Sequence, residues 1–154
     1  MIDIKRTSTE DPDFCNLIGL LDKDLWSRYP KTQQNYTAHN MIECDAKVVV
    51  VYLDGMPAGC GCYRETEEPE TVEIKRMYVL ERARGKGLAS TVLQELEQWA
   101  AAAGQRAAIL ETGVNQPEAI ALYAKLGYRR IANYGPYAGN PESVCMGKDL
   151  LIER

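Results

Sequence analysis

Six consecutive positions, Arg82-Ala-Arg-Gly-Lys-Gly87, hold three cations and two glycines in a chain whose formal net charge is −4. An apolar stripe at helical spacing follows: Leu88, Val92, Leu93, Leu96, Trp99 and Ala100. Cations and glycines at the mouth of a helix suit an anion. The first N–H groups of a helix have no internal partner, and the helix dipole favours negative charge beside them. Glycines let a phosphate approach the backbone, while Arg82, Arg84 and Lys86 add side-chain donors. The ligand that fits is a pyrophosphate. The plainer alternative is a solvated basic turn with glycine at positive φ.

Two other phosphate-binding patterns fail here. A Walker-type loop needs Gly-x4-Gly-Lys-Ser/Thr, but Gly85 and Gly87 are one residue apart with Lys86 between them. A dinucleotide fingerprint needs Gly-x-Gly-x-x-Gly/Ala in a tight turn. Ser90 stands at its third glycine position, and residues 81–85 make the turn long.

The elements that must hold the loop are legible on either side of it. Asp11-Pro12-Asp13 predicts a helix start, with Phe14, Leu17, Ile18 and Leu21 at helical spacing. Residues 25–40 are polar and mixed, predicting helix and loop. Residues 46–53, with four consecutive valines from Val48, predict a strand. Asp54-Gly55 predicts a hairpin turn and residues 57–64 its partner strand. An acidic turn over 65–70 leads into a strand over 71–80. After the loop come a helix over 88–103 ended by Gly104, a strand over 106–112, and a helix over 117–126 closed by Gly127. Short strands over 128–132 and 144–151 complete the chain. Hairpins followed by strand–helix–strand–helix–strand predict an α+β (mixed α/β) fold. Its central, mostly antiparallel sheet of six or seven strands is flanked by helices.

The bulk composition narrows the class. The 154 residues suit one domain, 1–154, and 45% apolar residues can fill its core. No apolar run reaches the ~20 residues of a membrane span, and residues 1–7 show no apolar signal region. A pI near 5.1 argues against general nucleic-acid binding. Five cysteines and one histidine, His39, show no zinc spacing, so no metal is expected. Reduced, packed thiols in a cytoplasmic protein are the expectation, with Cys60 and Cys62 on one strand face. His39 reads as a surface or capping residue.

"VEIKRMYVLERARGKGLA" followed by "LETGVNQPEAIALYAKLGYRRI" resembles the GNAT N-acetyltransferase superfamily, most closely over residues 71–131. These enzymes move the acetyl group of acetyl-coenzyme A to an amine. The resemblance implies a strand pair that splays beside the loop. It implies that the backbone of Met77, Tyr78 and Val79 binds the pantetheine arm, and that Arg82, Arg84, Gly85, Lys86, Gly87, Leu88, Ala89 and Ser90 cradle the pyrophosphate. Asn115 matches a position near the pantetheine arm, with a helix cap or turn residue as the alternative. Tyr123 matches the usual general acid, which meets the departing thiolate; the alternative is an aromatic in the apolar face of Ile120, Leu122 and Leu126. Glu73 matches a glutamate base found in some members, the alternative being an exposed strand charge paired across strands. Glu111 is a second base candidate, and water alone a third route.

Lys75 and Arg76 cannot both lie on a strand buried on both faces; at least one must reach a polar face or the cleft, where they could bind an acceptor carboxylate, the plainer alternative being solvated strand charges. In the family the acceptor pocket is shaped by segments that match residues 22–40 and 132–143 here. They carry Trp26, Tyr29, Tyr36, Asn40, Tyr134, Tyr137 and Asn140. Aromatic and hydrogen-bonding side chains suit a small polar or amino-acid-like amine. A protein lysine or N-terminus, or a non-catalytic acyl-coenzyme A sensor, remain as alternatives. Members of the superfamily are often homodimers.

Overall fold

The computed structural model describes residues 1–28 and 45–150, with the backbone alone for 24–28. His39, Cys44, Tyr29, Tyr36 and Asn40 lie outside the described residues, as does the side chain of Trp26. The described elements are β1 (Ile2–Thr7), α1 (Pro12–Arg28), β2 (Lys47–Leu53), β3 (Met56–Glu65), β4 (Thr71–Val79), α2 (Leu88–Ala102), β5 (Ala107–Gly113), α3 (Pro117–Lys125), β6 (Arg129–Ile131) and β7 (Ser143–Asp149). The strands form one sheet in the order β1-β2-β3-β4-β5-β7-β6. This is the expected mixed sheet, with seven strands. The sequence reading lacked β1. Its Ile2 and Ile4 are 43% and 46% exposed, so this edge strand carries little of the burial signal that marks a strand in sequence.

The chain divides into two compact units, residues 1–64 with 75–96, and residues 65–74 with 97–154. In the first, β1 and β3 pair antiparallel with β2. Asp54 (φ 52°) and Gly55 (φ 85°) form the two-residue turn between Leu53 and Met56. Val48, Val49, Val50 and Val51 are all fully buried, which requires cover on both faces of β2. Val48 and Val50 belong to a cluster with Phe14 and Leu17 of α1 and with Cys60 and Cys62. Val49 and Val51 lie opposite Gly61 and Gly59 on the other face. A Cβ at Gly61 would stand 2.9 Å from Val92 and also meet the Met77 sulfur. The glycine thus lets α2 and β4 approach β3 closely.

Asp11 starts α1 as the sequence predicts. Its Oδ1 accepts the N–H groups of Asp13 (2.9 Å) and Phe14 (3.3 Å). Its Oδ2 accepts Thr7 Oγ1 at 3.0 Å and Lys5 Nζ at 2.6 Å. Burial alone would raise the Asp11 pKa, but these four donors outweigh it and hold it below the ordinary carboxylate value. A depressed folded pKa stabilises the fold above the unfolded value, and that contribution is lost as pH falls through the folded value. Asp11→Ala is therefore expected to destabilise by about 1–2 kcal/mol at pH 7. In urea titrations the difference from the parent should shrink below about pH 4. An undiminished difference at pH 2 would contradict the ionised cap.

In the second unit, residues 71–74 of β4 pair parallel with residues 107–110 of β5, and β7 pairs antiparallel with both β5 and β6. Both expected glycine stops are present. Gly104 N–H bonds to Ala101 O and Gln105 N–H to Ala100 O; Gly127 N–H bonds to Ala124 O and Tyr128 N–H to Tyr123 O. This paired pattern needs a left-handed residue, and Gly104 (φ 93°) and Gly127 (φ 99°) provide it. Tyr128 Oη and Lys148 Nζ each donate to Glu97, at 2.8 and 3.0 Å, tying the end of α2 to the turn after α3.

Candidate functional site

The first unit carries the proposed cofactor segment in one run of chain. The parallel register of β4 ends at Ile74, opposite Leu110, and β4 continues to Val79. Just past that point Arg76 adopts φ 59°, a left-handed conformation unusual for a non-glycine residue within a strand. The conformation is held from two sides. Cys62 Sγ donates to Lys75 O at 3.4 Å and Cys60 Sγ to Arg76 O at 3.6 Å, while the Arg76 guanidinium pairs with Asp22 of α1. The two buried thiols therefore serve the core, as their spacing predicts. Lys75 is buried, and Arg76 has found a carboxylate.

Leu80 N–H donates to Ala58 O at 2.8 Å, and a short 310 turn over Glu81–Ala83 follows. Ala83 is buried and anchors the turn; Arg82, Arg84, Gly85, Lys86 and Gly87 are exposed. Gly85 and Gly87 have φ of 80° and 78°, and a Cβ on either would meet nothing within 4 Å. These glycines answer a backbone demand, and the space before them is open. Gly87 O accepts the Thr91 N–H at 3.0 Å, making Gly87 the cap of α2. The first turn of α2 holds no acidic residue. Among the described residues, the N–H groups of Gly85, Lys86 and Gly87 donate to no acceptor. Arg84 Nε donates to Val79 O at 3.0 Å and its guanidinium lies 5.8 Å from the Tyr78 ring centroid. Part of its donor set thus fixes the loop against the strand.

The second unit carries the candidate acid and bases. Tyr123, on α3, is 7% exposed and meets Tyr128 edge-on at 5.9 Å. Its hydroxyl has no hydrogen-bond partner among the described residues. Burial, and secondarily the Glu111 carboxylate, raise the Tyr123 pKa, so the phenol keeps its proton at neutral pH. Glu111 Oε2 accepts Ser143 Oγ at 2.8 Å.

Glu73 is only 2% exposed. It is not the exposed strand charge of the alternative reading: its Oε2 accepts Tyr134 Oη at 2.8 Å. Asn133 pins the segment carrying Tyr134, donating through Nδ2 to Tyr137 O (3.3 Å), Asn140 O (3.1 Å) and Ser143 O (3.2 Å). Tyr137 packs edge-on against Tyr134 at 5.5 Å. Asn133 and the Tyr134–Glu73 contact escaped the sequence reading; an asparagine amid turn residues gives no sign of what it will bind. Asn115 is exposed and precedes Gln116, which is the N-cap of α3. Asn115 is therefore no cap, but it does sit in the turn before α3, as the plainer alternative allows. Among the described residues, no group of three or more His, Cys, Asp or Glu could hold a metal, and no helix is long and apolar enough to cross a membrane.

The strand order and the open glycine turn at the start of α2 are those that the GNAT resemblance implies. The sequence profile of the acetyltransferase (GNAT) family matches residues 13–128. The IAA acetyltransferase of Azospirillum brasilense is 35% identical over 97% of this chain and 98% of its own length. A crystal structure from Klebsiella pneumoniae, assigned as an acyl-CoA N-acyltransferase, is 31% identical with a TM-score of 0.81, covering 98% of this chain and 99% of that one. Human N-acetylaspartate synthetase is 37% identical over 68% of this chain, a match spanning 34% of that protein. The chain belongs to the acetyltransferase (GNAT) family and is an acyl-CoA-dependent N-acetyltransferase.

Proposed function

We propose that the protein transfers the acetyl group of acetyl-CoA directly to the primary amine of a small polar or amino-acid-like molecule. The observation that carries the donor half is the set of N–H groups at Gly85, Lys86 and Gly87, which have no acceptor among the described residues at the acid-free start of α2. They and the first-turn N–H groups of Leu88, Ala89 and Ser90 bind the pyrophosphate. Arg82, Arg84 and Lys86 add charge. Met77, Tyr78 and Val79 offer backbone groups to the pantetheine arm, and Asn115 a side-chain amide.

The chemistry needs one base and one acid. The amine must lose a proton as its nitrogen bonds to the thioester carbon, and Glu73 receives it. The C–S bond then breaks, and Tyr123 gives its proton to the departing thiolate. Regeneration returns one proton to Tyr123 and removes one from Glu73, leaving the enzyme unchanged. The similarity to N-acetylaspartate synthetase supports an amino-acid-like acceptor.

The test is coenzyme A thiol release from acetyl-CoA over a panel of L-aspartate, other free amino acids, tyramine, spermidine and a lysine-containing peptide. At least one small amine should accelerate release well above hydrolysis. Turnover of the peptide alone would refute the acceptor class. Tight acetyl-CoA binding with no amine-dependent release would identify a sensor instead.

A further inference from the structure

A base has to exchange a proton with its substrate, and Glu73 is poorly placed to do so in person. At 2% exposure it has almost no surface for an amine to touch, and one carboxylate oxygen already holds the Tyr134 hydroxyl at 2.8 Å. Tyr134 itself is half-buried, more open than the carboxylate it binds. The segment around it is rigid: Asn133 ties three carbonyls together, and Tyr137 braces the ring edge-on. A hydroxyl held at one distance from a carboxylate can both donate through its hydrogen and accept through its oxygen.

We propose that Tyr134 relays the acceptor amine's proton to Glu73. The proposal rests on the reading of Glu73 as the base. As the amine nitrogen bonds to the thioester carbon, its N–H proton moves to Tyr134 Oη while the proton already on Oη moves to Glu73 Oε2. Tyr134 ends neutral, Glu73 ends as the carboxylic acid, and that proton later leaves to water. The groups facing the phenol are Glu73 of β4, Cys145 of β7 and Tyr137 of its own segment. Burial, and then the Glu73 charge, favour its neutral form. It passes a proton and does not store one.

The experiment uses acetyl-CoA with whichever panel amine turns over fastest. Tyr134→Phe and Glu73→Gln should each lower kcat/KM for the amine about 100-fold. The double variant should be no slower than the slower single one, because both residues act in one path. Coenzyme A affinity should hold in all three. Site-specific 3,5-difluorotyrosine at position 134 keeps the hydrogen bond but makes a more acidic phenol. It should change kcat/KM for the amine and its solvent isotope effect, which a purely structural latch would leave in place, and this readout decides the matter should Tyr134→Phe fold poorly. A Tyr134→Phe rate equal to the parent's beside a slow Glu73→Gln would overturn the relay and leave Glu73 as base. Additive losses would also overturn it. A Glu73→Gln variant of unchanged rate would overturn the base assignment itself.

Discussion

Tyr123→Phe is expected to lower kcat by about 100-fold with little change in coenzyme A affinity. The substitution removes one oxygen and leaves the ring. Since the hydroxyl has no hydrogen-bond partner among the described residues, its loss breaks no bond in the fold, and the edge-on packing on Tyr128 is kept. Stability should hold. The kinetic effect is therefore separable from any structural one. A thiolate is a tolerable leaving group, so the acid's share lies at the low end of what proton transfer contributes. Burial and the Glu111 charge keep the phenol protonated across neutral pH. The parent's rate should accordingly show no loss of this acid below pH 9. Steady-state kinetics on both proteins, with a thermal melt as control, decide it. An unchanged kcat would leave Tyr123 as a packing residue and the thiolate to depart unaided.

Gly87 offers the second large effect. Because its φ is 78°, most side chains there would strain the backbone, confusing a binding defect with a folding one. Asparagine and aspartate tolerate that region best. Both fit the space, since a Cβ meets nothing within 4 Å. They differ in one charge. Gly87→Asn places a side chain in the path of the phosphate and should weaken coenzyme A binding about 10-fold. Gly87→Asp adds repulsion. A charge about 4 Å from another in a surface-like medium is worth roughly 4 kcal/mol before salt screening, so a further loss of about 100-fold is expected at low salt. Raising the ionic strength should narrow the gap between the two variants. Calorimetric titration with coenzyme A would measure it. Equal, parental affinities in both folded variants would remove the pyrophosphate from this loop.

The features behind these two effects are visible in the sequence to different degrees. The proposed anion loop is legible because its chemistry is local. Two glycines, three cations and a helix start sit within a few residues, and the orphan N–H groups of a helix need no distant partner to exist. The same holds for the two glycine stops, the Asp54-Gly55 turn and the Asp11 cap, each a short-range hydrogen-bond pattern. Strand β1 was illegible because an exposed edge strand lacks a buried face.

The amino-acid sequence alone therefore determined the order of most elements and the glycine turn that opens α2. Each rests on contacts between residues close in the chain, or on a periodicity that reports burial. Only the tertiary structure decided that Glu73 is buried and joined to Tyr134, 61 positions away. It alone showed that Arg76 takes a left-handed φ within β4 with Asp22 as its ion partner, and that Asn133 binds three carbonyls. A carboxylate's environment is set by whatever the fold brings beside it, and desolvation and long-range hydrogen bonds leave no mark on the neighbouring letters.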